Sequence, residues 1–320
     1  MARPKRDELA LLAAADLIEA AREADDQELA WTTPLLAQTC LPVRNPGNIP
    51  VYERRNGDTL LTIRPGYVDD PKTGKSKSLG YPSGVLARKS MIWIIGEARR
   101  TKSRELVMGD GITDFLRTLQ PGSAASAGPT GSLTRLRVQT EQLFNAAITV
   151  RIDRPGPDGE PATIIKNLTV ANQAVLWGKD SKGTSRAVVQ LSGDFYDEIL
   201  QRALPLDWNA LHVFGDDATA IDLYIFLTYT MATLKRRITI SLDDLNERLG
   251  LMRKLETKEA RYKARKAYEK KLARVLSVYR DANVELTTAG LVLTPSRPHV
   301  LPKGWRAVES SLIVPPSIGA

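Results

Sequence analysis

The stretch KLETKEARYKARKAYEKKLARV, residues 254–275, holds nine Lys or Arg against three Glu. Spaced at 100° per residue, its apolar side chains collect on one face as Ala264, Ala267, Tyr268, Leu272, Val275, Leu276 and Tyr279. Lys263, Lys266, Lys270 and Arg274 stack opposite them at i, i+3/i+4 spacing, and Lys254, Lys258, Arg261 and Arg265 form a second basic flank where the apolar face fades. A helix whose second half packs while its first half is basic on two sides is suited to leave its core and enter a groove between phosphates. A solvated helix face is the plainer alternative. A second candidate is SLTRLRVQTEQLFNAA, residues 132–147, where Leu133, Leu136, Thr140, Leu143, Phe144 and Ala147 form the apolar side. Arg135, Arg137, Gln139 and Gln142 fall on its outer faces, and Arg and Gln are the side chains that contact guanine and adenine edges at two points.

The elements around both segments are ordered in the same way. VLARKSMIWIIGEARR, RELVM, GITDFLRTL and the helix at 132–147 read as helix, strand, helix, helix. The first short helix has Asp110 available as a cap. The β-rich runs ITVRI, TIIKNLTVANQAVLW and RAVVQLS follow. The order recurs as a core helix at 217–234, RITIS, LDDLNERLG with Gly250 as its C-terminal cap, the basic helix, and a hairpin in NVELTTAGLVLTPS turning near Ala289-Gly290. Helix, strand, helix, helix, hairpin is the order of a helix-turn-helix with a β wing. The expected fold is therefore α+β: tandem winged-helix domains over 81–193 and 194–300. Residues 1–80 are expected to form an N-terminal helix, linker and β-hairpin extension, with Asn56-Gly57 as the hairpin turn, and 301–320 a tail. DDPKTGKSKSLGYPSG reads as a flexible surface loop, and neither residues 1–38 nor the loop PGSAASAGPTG carries a functional motif.

Enzyme signatures fail. TGKS at 73–76 has Asp69 where a phosphate-binding loop needs Gly. GDD at 215–217 stands just before an apolar helix, where acidic residues suit the positive helix start. His212 and His299 are far apart in sequence, Cys40 is the sole cysteine, and Trp93 and Trp177 lie in apolar patterns that suit a core. No catalytic residue, metal or cofactor is expected. One cysteine permits no intrachain disulfide and suits a reducing cytoplasm. MARPKR opens an amphipathic helix rather than a signal peptide, and the longest apolar stretch, AIDLYIFLTYTMATL, is too short to span a bilayer. Net charge is +8 and uneven: residues 1–80 sum to −1, 81–200 to +3 and 201–320 to +6. The excess lies where the basic helix is, as binding of an anionic polymer requires.

Several stretches, in order over about residues 39–300, resemble the RepA-type replication initiators of broad-host-range bacterial plasmids. They are LPVRNPGNIPVYERRNGDTLLTIRPGY, KSMIWIIGEARRTKSRELVMGDGITDFLRTL, TRLRVQTEQLFNAAI, FYDEILQRALPLDWNALH, IDLYIFLTYTMATLKRRITISLDDLNERLG and VLSVYRDANVELTTAGLVLTPSRPHV. The resemblance implies a bacterial cytoplasmic protein that binds double-stranded plasmid origin DNA at direct repeats called iterons. It further implies opening of an adjacent AT-rich segment, recruitment of the host initiator and replicative helicase, and an equilibrium between monomers on iterons and homodimers on an operator at the protein's own gene. The helices around Arg135 and Lys263 would be the groove readers. The competing reading is a sequence-specific transcriptional regulator on the same fold, a class that more often carries one reader and a dimer or ligand domain.

Overall fold

A computed structural model describes residues 6–38, 40–155, 160–179, 185–250 and 254–300. The chain is a mixed α+β protein divided into two compact units. Among the described residues, a central unit takes 40–203 and a split unit joins 6–38 to 204–300. Residues 1–80 are therefore not an extension of their own. Their helix belongs with the C-terminal part, their hairpin with the middle, and the division falls after Ala203 rather than at 193. The expected tail, 301–320, lies outside the described residues.

The split unit starts with α1 (Arg6–Glu23), β1 (Leu29–Thr32) and α2 (Pro34–Gln38). The central unit follows with the hairpin β2 (Tyr52–Asn56) and β3 (Thr59–Arg64); its turn is Gly57-Asp58, one position later than the expected Asn56-Gly57, since Asn56 pairs with Thr59 and Gly57 takes φ +55°. The polar segment expected to be a flexible loop is instead a second hairpin, β4 (Gly66–Asp69) and β5 (Ser76–Gly80). Asp70 closes its turn, accepting from the Lys72 N–H through Oδ1 at 2.8 Å and from the Gly74 N–H through its carbonyl at 2.8 Å.

Next come α3 (Gly84–Thr101), β6 (Glu105–Val107), α4 (Ile112–Leu119) and α5 (Ser132–Asn145). Gly111, not Asp110, occupies the N-cap of α4, and the Asp110 carboxylate lies 3.5 Å from Arg186. The buried Arg88 of α3 donates to the carbonyls of Leu41 (2.5 Å), Gly84 (2.8 Å) and Pro42 (3.0 Å), so a charged side chain fixes the incoming backbone onto the helix. Phe115 meets Trp93 edge-to-face and Trp177 at a tilt, with ring centroids 4.9 and 6.1 Å apart, between α3, α4 and the strands.

The strands after α5 are β7 (Ala147–Pro155), β8 (Pro161–Leu168), β9 (Ala171–Lys179) and β10 (Ser185–Leu191), before α6 (Gly193–Arg202). They separate into two sheets. The β7–β8 pair joins the N-terminal hairpin in the antiparallel order β2-β3-β7-β8, with Leu61 opposite Val150 and Ile63 opposite Ile148 on the buried face. The β9–β10 pair takes up β6 in the order β6-β10-β9. β3 is thus an interior strand.

The split unit resumes with β11 (Leu204–Asp207), α7 (Trp208–Val213), α8 (Ala218–Thr233), β12 (Ile238–Ile240), α9 (Leu242–Leu249), α10 (Lys258–Val278), β13 (Val284–Leu286) and β14 (Leu291–Leu293). β1 pairs antiparallel with β11, which ties the start of the chain to residues more than 170 positions later. α8 is buried along nearly its whole length, as its apolar sequence requires, and Asp217 caps it by accepting from the Ala220 N–H at 3.1 Å. The acidic pair before α8 is therefore a helix start. β12 pairs with β14 in the order β12-β14-β13, repeating the arrangement of β6 on β10. Gly290 turns the final hairpin at φ +137°, and a Cβ there would sit 2.0 Å from the Ile240 carbonyl oxygen, so only glycine lets the turn close on β12.

His299 lies beneath this unit, 1% exposed, with Nδ1 2.8 Å from the Tyr224 hydroxyl and its ring 4.9 Å from that of Tyr279. Burial first, and the Arg22 charge second, lower its pKa from 6.5 to about 4. As pH falls the unfolded chain takes up this proton before the folded one. Stability is therefore lost between about pH 6.5 and about pH 4, by at most about 3 kcal/mol from this group, and is insensitive to it above pH 7. Urea midpoints measured from pH 8 to pH 4 should fall less steeply for His299→Gln than for the wild-type chain. Parallel slopes would show that His299 does not titrate in that window.

Candidate nucleic-acid interface

α10 is set from both ends and from beneath. Thr257 Oγ1 accepts from the Ala260 N–H at 3.1 Å and starts the helix, while Gly250 at φ +63° closes α9 with its N–H on the Asn246 carbonyl at 2.7 Å. The buried face is Ala264, Tyr268, Leu272, Val275 and Val278, with Ala267 and Leu276 half-buried beside it. Tyr268 donates its hydroxyl proton to Asn246 Oδ1 at 3.2 Å, and Arg248 of α9 lies 4.1 Å over the Phe226 ring, so α9 and α10 are held against α8 in one arrangement.

Above that face the exposed side chains are Lys254, Lys258, Arg261, Tyr262, Lys263, Lys266 and Lys270, with Arg265 half-exposed. Most of these cations already have carboxylate neighbours. Lys254 lies 3.0 Å from Glu256, Lys263 2.5 Å from Glu259, Arg265 3.2 Å and Lys266 2.8 Å from Glu269, and Arg261 pairs with Asp243. The hydrogen bond from Lys266 raises that ammonium's pKa and lowers that of Glu269, which keeps both charged. Exposed pairs of this kind contribute little to stability and exchange readily for phosphate. Lys258 and Lys270 have no ion-pair partner among the described residues.

Arg274 does not belong to this stripe. It is half-buried, donates to the Val213 carbonyl at 2.7 Å and lies 3.7 Å from the Asp217 carboxylate, which Lys271 approaches at 2.5 Å. By this point α10 is packed against the turn between α7 and α8. Spacing places Arg274 one turn beyond Lys270; packing turns it into a clamp.

On α5, Arg135 and Arg137 are exposed as expected, but the two glutamines are not available on an outer face. Gln142 is 5% exposed and donates Nε2–H to the Leu79 carbonyl at 2.6 Å. Gln139 Oε1 accepts from the Ser83 N–H at 2.6 Å. Both support the backbone leading from β5 into α3, which covers that flank of α5. The sequence reading assigned this segment to a loop and so left the glutamines in water.

The small-residue loop before α5 is ordered by reciprocal bonds: the Ser126 N–H reaches Ser132 Oγ at 3.0 Å and the Ser132 N–H reaches Ser126 Oγ at 3.0 Å. Thr134 Oγ1 donates to the Gly128 carbonyl at 2.7 Å. A Cβ on Gly131 would stand 2.3 Å from the Ser126 carbonyl oxygen, so the glycine is what lets the loop close beside Arg135. Other site-side residues missed from the sequence are Tyr262, 63% exposed among the lysines, and Asp243 on α9. A search limited to cations could not find either. Among the described residues no group of three or more His, Cys, Asp or Glu could hold a metal ion, and no helix is long and apolar enough to cross a membrane.

Two solved structures of domains 2 and 3 of RctB are similar to the chain. One, of selenomethionine derivatives, has a TM-score of 0.46 at 10% identity, covering 83% of this chain and 98% of that one. The other, RctB-155-483, has a TM-score of 0.45 at 11% identity, covering 81% and 93%. Likeness at that level transfers neither fold nor function. No curated protein matches in sequence. The family model described as plasmid encoded RepA protein matches residues 81–243, from just before α3 into α9, and includes Arg135 and Arg137 while stopping short of α10. That match spans just over half of the sequence, and the chain belongs to the plasmid-encoded RepA protein family.

Proposed function

We propose that the chain is a plasmid replication initiator built on two winged helices, one in each unit, which bind repeated sequences in origin DNA with α5 and α10 as the groove readers. The observation that carries this reading is the repeated arrangement of helix, strand, helix, helix and hairpin, α3 to β10 and α8 to β14. In both, a basic side of the third helix remains in water. The protein has no catalytic step of its own and needs no metal or cofactor. It works in the bacterial cytoplasm, opens the neighbouring AT-rich DNA, passes it to the host initiator and helicase, and represses its own gene as a homodimer on an operator with inverted half-sites. Self-association is then measured on the full chain, because removing residues 1–80 would take α1 from one unit and the interior strand β3 from the other.

Lys266 and Lys270 supply phosphate contacts. Changing both to Ala should weaken binding to any duplex and lower the slope of log affinity against log salt by about two units. An unchanged slope in a filter-binding titration places them outside the interface. Arg135 reads a base. Its change to Ala should cost about 1–3 kcal/mol on a duplex selected from a random pool by the wild-type chain, and far less on a scrambled duplex. Equal losses on the two duplexes would make Arg135 a backbone contact instead.

A further inference from the structure

The pair between Asp243 and Arg261 differs from the other ion pairs on this surface in its geometry. Arg261 Nη1 donates to Asp243 Oδ2 at 2.8 Å and Nη2 to Oδ1 at 2.9 Å, a two-point contact between the start of α9 and the first turn of α10. The pairs that Lys254, Lys263, Lys266 and Arg265 make are single contacts within one stretch of chain. Asp243 is not needed to start α9. Ser241 Oγ does that by accepting from the Asp244 N–H at 3.1 Å, and the Ser241 hydroxyl donates to Asp244 Oδ2 at 2.7 Å. Both members of the Asp243–Arg261 pair stay about half in water, 51% and 47% exposed, where an ion pair adds little to stability.

A guanidinium bound end-on by a carboxylate uses one N–H of each terminal nitrogen. The Nε–H and the outward N–H of the terminal nitrogen beside it remain, and these two parallel donors match O6 and N7 of guanine. The carboxylate fixes the plane of the guanidinium before DNA arrives, so less side-chain freedom is lost on contact. Its negative charge acts in the other direction, because it repels phosphate and weakens binding to any sequence. An acidic side chain at this place therefore favours one base at the expense of general affinity.

We infer that Asp243 is a positioning residue that holds the Arg261 guanidinium for two-point contact with a guanine in the major groove. The inference rests on the proposed reading of α10 as a groove-entering helix. Lys258, Lys266 and Lys270 supply attraction for the backbone, and the Asp243–Arg261 pair supplies the choice of base. Asp243 would then act on selectivity in the opposite sense from its effect on overall binding.

The test uses the full chain, a duplex selected from a random pool by the wild-type protein, and a scrambled duplex of the same composition. Asp243→Asn and Asp243→Ala should leave scrambled binding unchanged or tighter while lowering the ratio of selected to scrambled affinity about tenfold. Arg261→Ala should lower the ratio at least as much, and adding Asp243→Ala to it should change the ratio no further. Replacing one guanine of the selected duplex by 7-deazaguanine, which lacks the N7 acceptor, should reproduce the loss for wild type and have no effect on Arg261→Ala. Thermal melting of the Asp243 variants should match wild type. The role is overturned if the Asp243 variants shift both duplexes equally, if they melt earlier with the ratio intact, or if no 7-deazaguanine position distinguishes wild type from Arg261→Ala. A chain that selects no duplex from the pool overturns the reading of α10 itself and this pair with it. Selection with a ratio indifferent to Asp243 overturns only the pair.

Discussion

α10 carries cations on most of its circumference, and what decides its function is the narrow face it can bury. Ala264, Tyr268, Leu272 and Val275 are that face, and the apolar α8 together with α1 packs against the helix. Burial of this kind contributes on the order of 25 cal/mol per Å² of apolar surface, which outweighs any single exposed ion pair on the same helix. Once the face is fixed, every basic residue is sorted without further freedom. Those at Lys258, Lys263, Lys266 and Lys270 stay in water, while Lys271 and Arg274 are carried round to the Asp217 carboxylate at the start of α8. That carboxylate both caps α8 and anchors the last turns of α10, so one acidic side chain ties the end of the basic helix to the start of α8.

Periodicity and turn chemistry made much of this legible. The β2–β3 hairpin, though not its exact turn, the core helix over 218–233, the acidic cap before it, Gly250 and the two third helices all follow from local rules that depend on neighbours a few residues away. What was not legible depends on partners distant in sequence. Gln139 and Gln142 carry the right chemistry for base contact but are claimed by Ser83 and Leu79, more than fifty positions earlier. Arg274 fits the basic stripe by spacing and is removed from it by Val213. The pairing of β1 with β11 and of β3 with β7 divides residues 1–80 between two units, and no local pattern announces a strand's partner.

The central unit shows the same ordering of effects. Arg88 is a cation inside a helix that the pattern marks as core, and three backbone carbonyls satisfy it, so it serves the fold rather than a ligand. Arg135 and Arg137 differ from it because, among the described residues, no carbonyl or carboxylate is brought to them and both are exposed. Charge alone therefore does not identify a nucleic-acid contact. The useful distinction is whether the fold already occupies the donors.

The central claim is that one chain carries two readers that act on one stretch of duplex. Dimethyl sulfate protection of guanine N7 on a selected duplex, bound by the full chain, tests it most directly. The account predicts two separate protected major-groove segments, one lost on changing Arg135 and Arg137 to Ala and the other lost on changing Arg261 to Ala. A single protected segment, or two segments that disappear together with either set of changes, would contradict it.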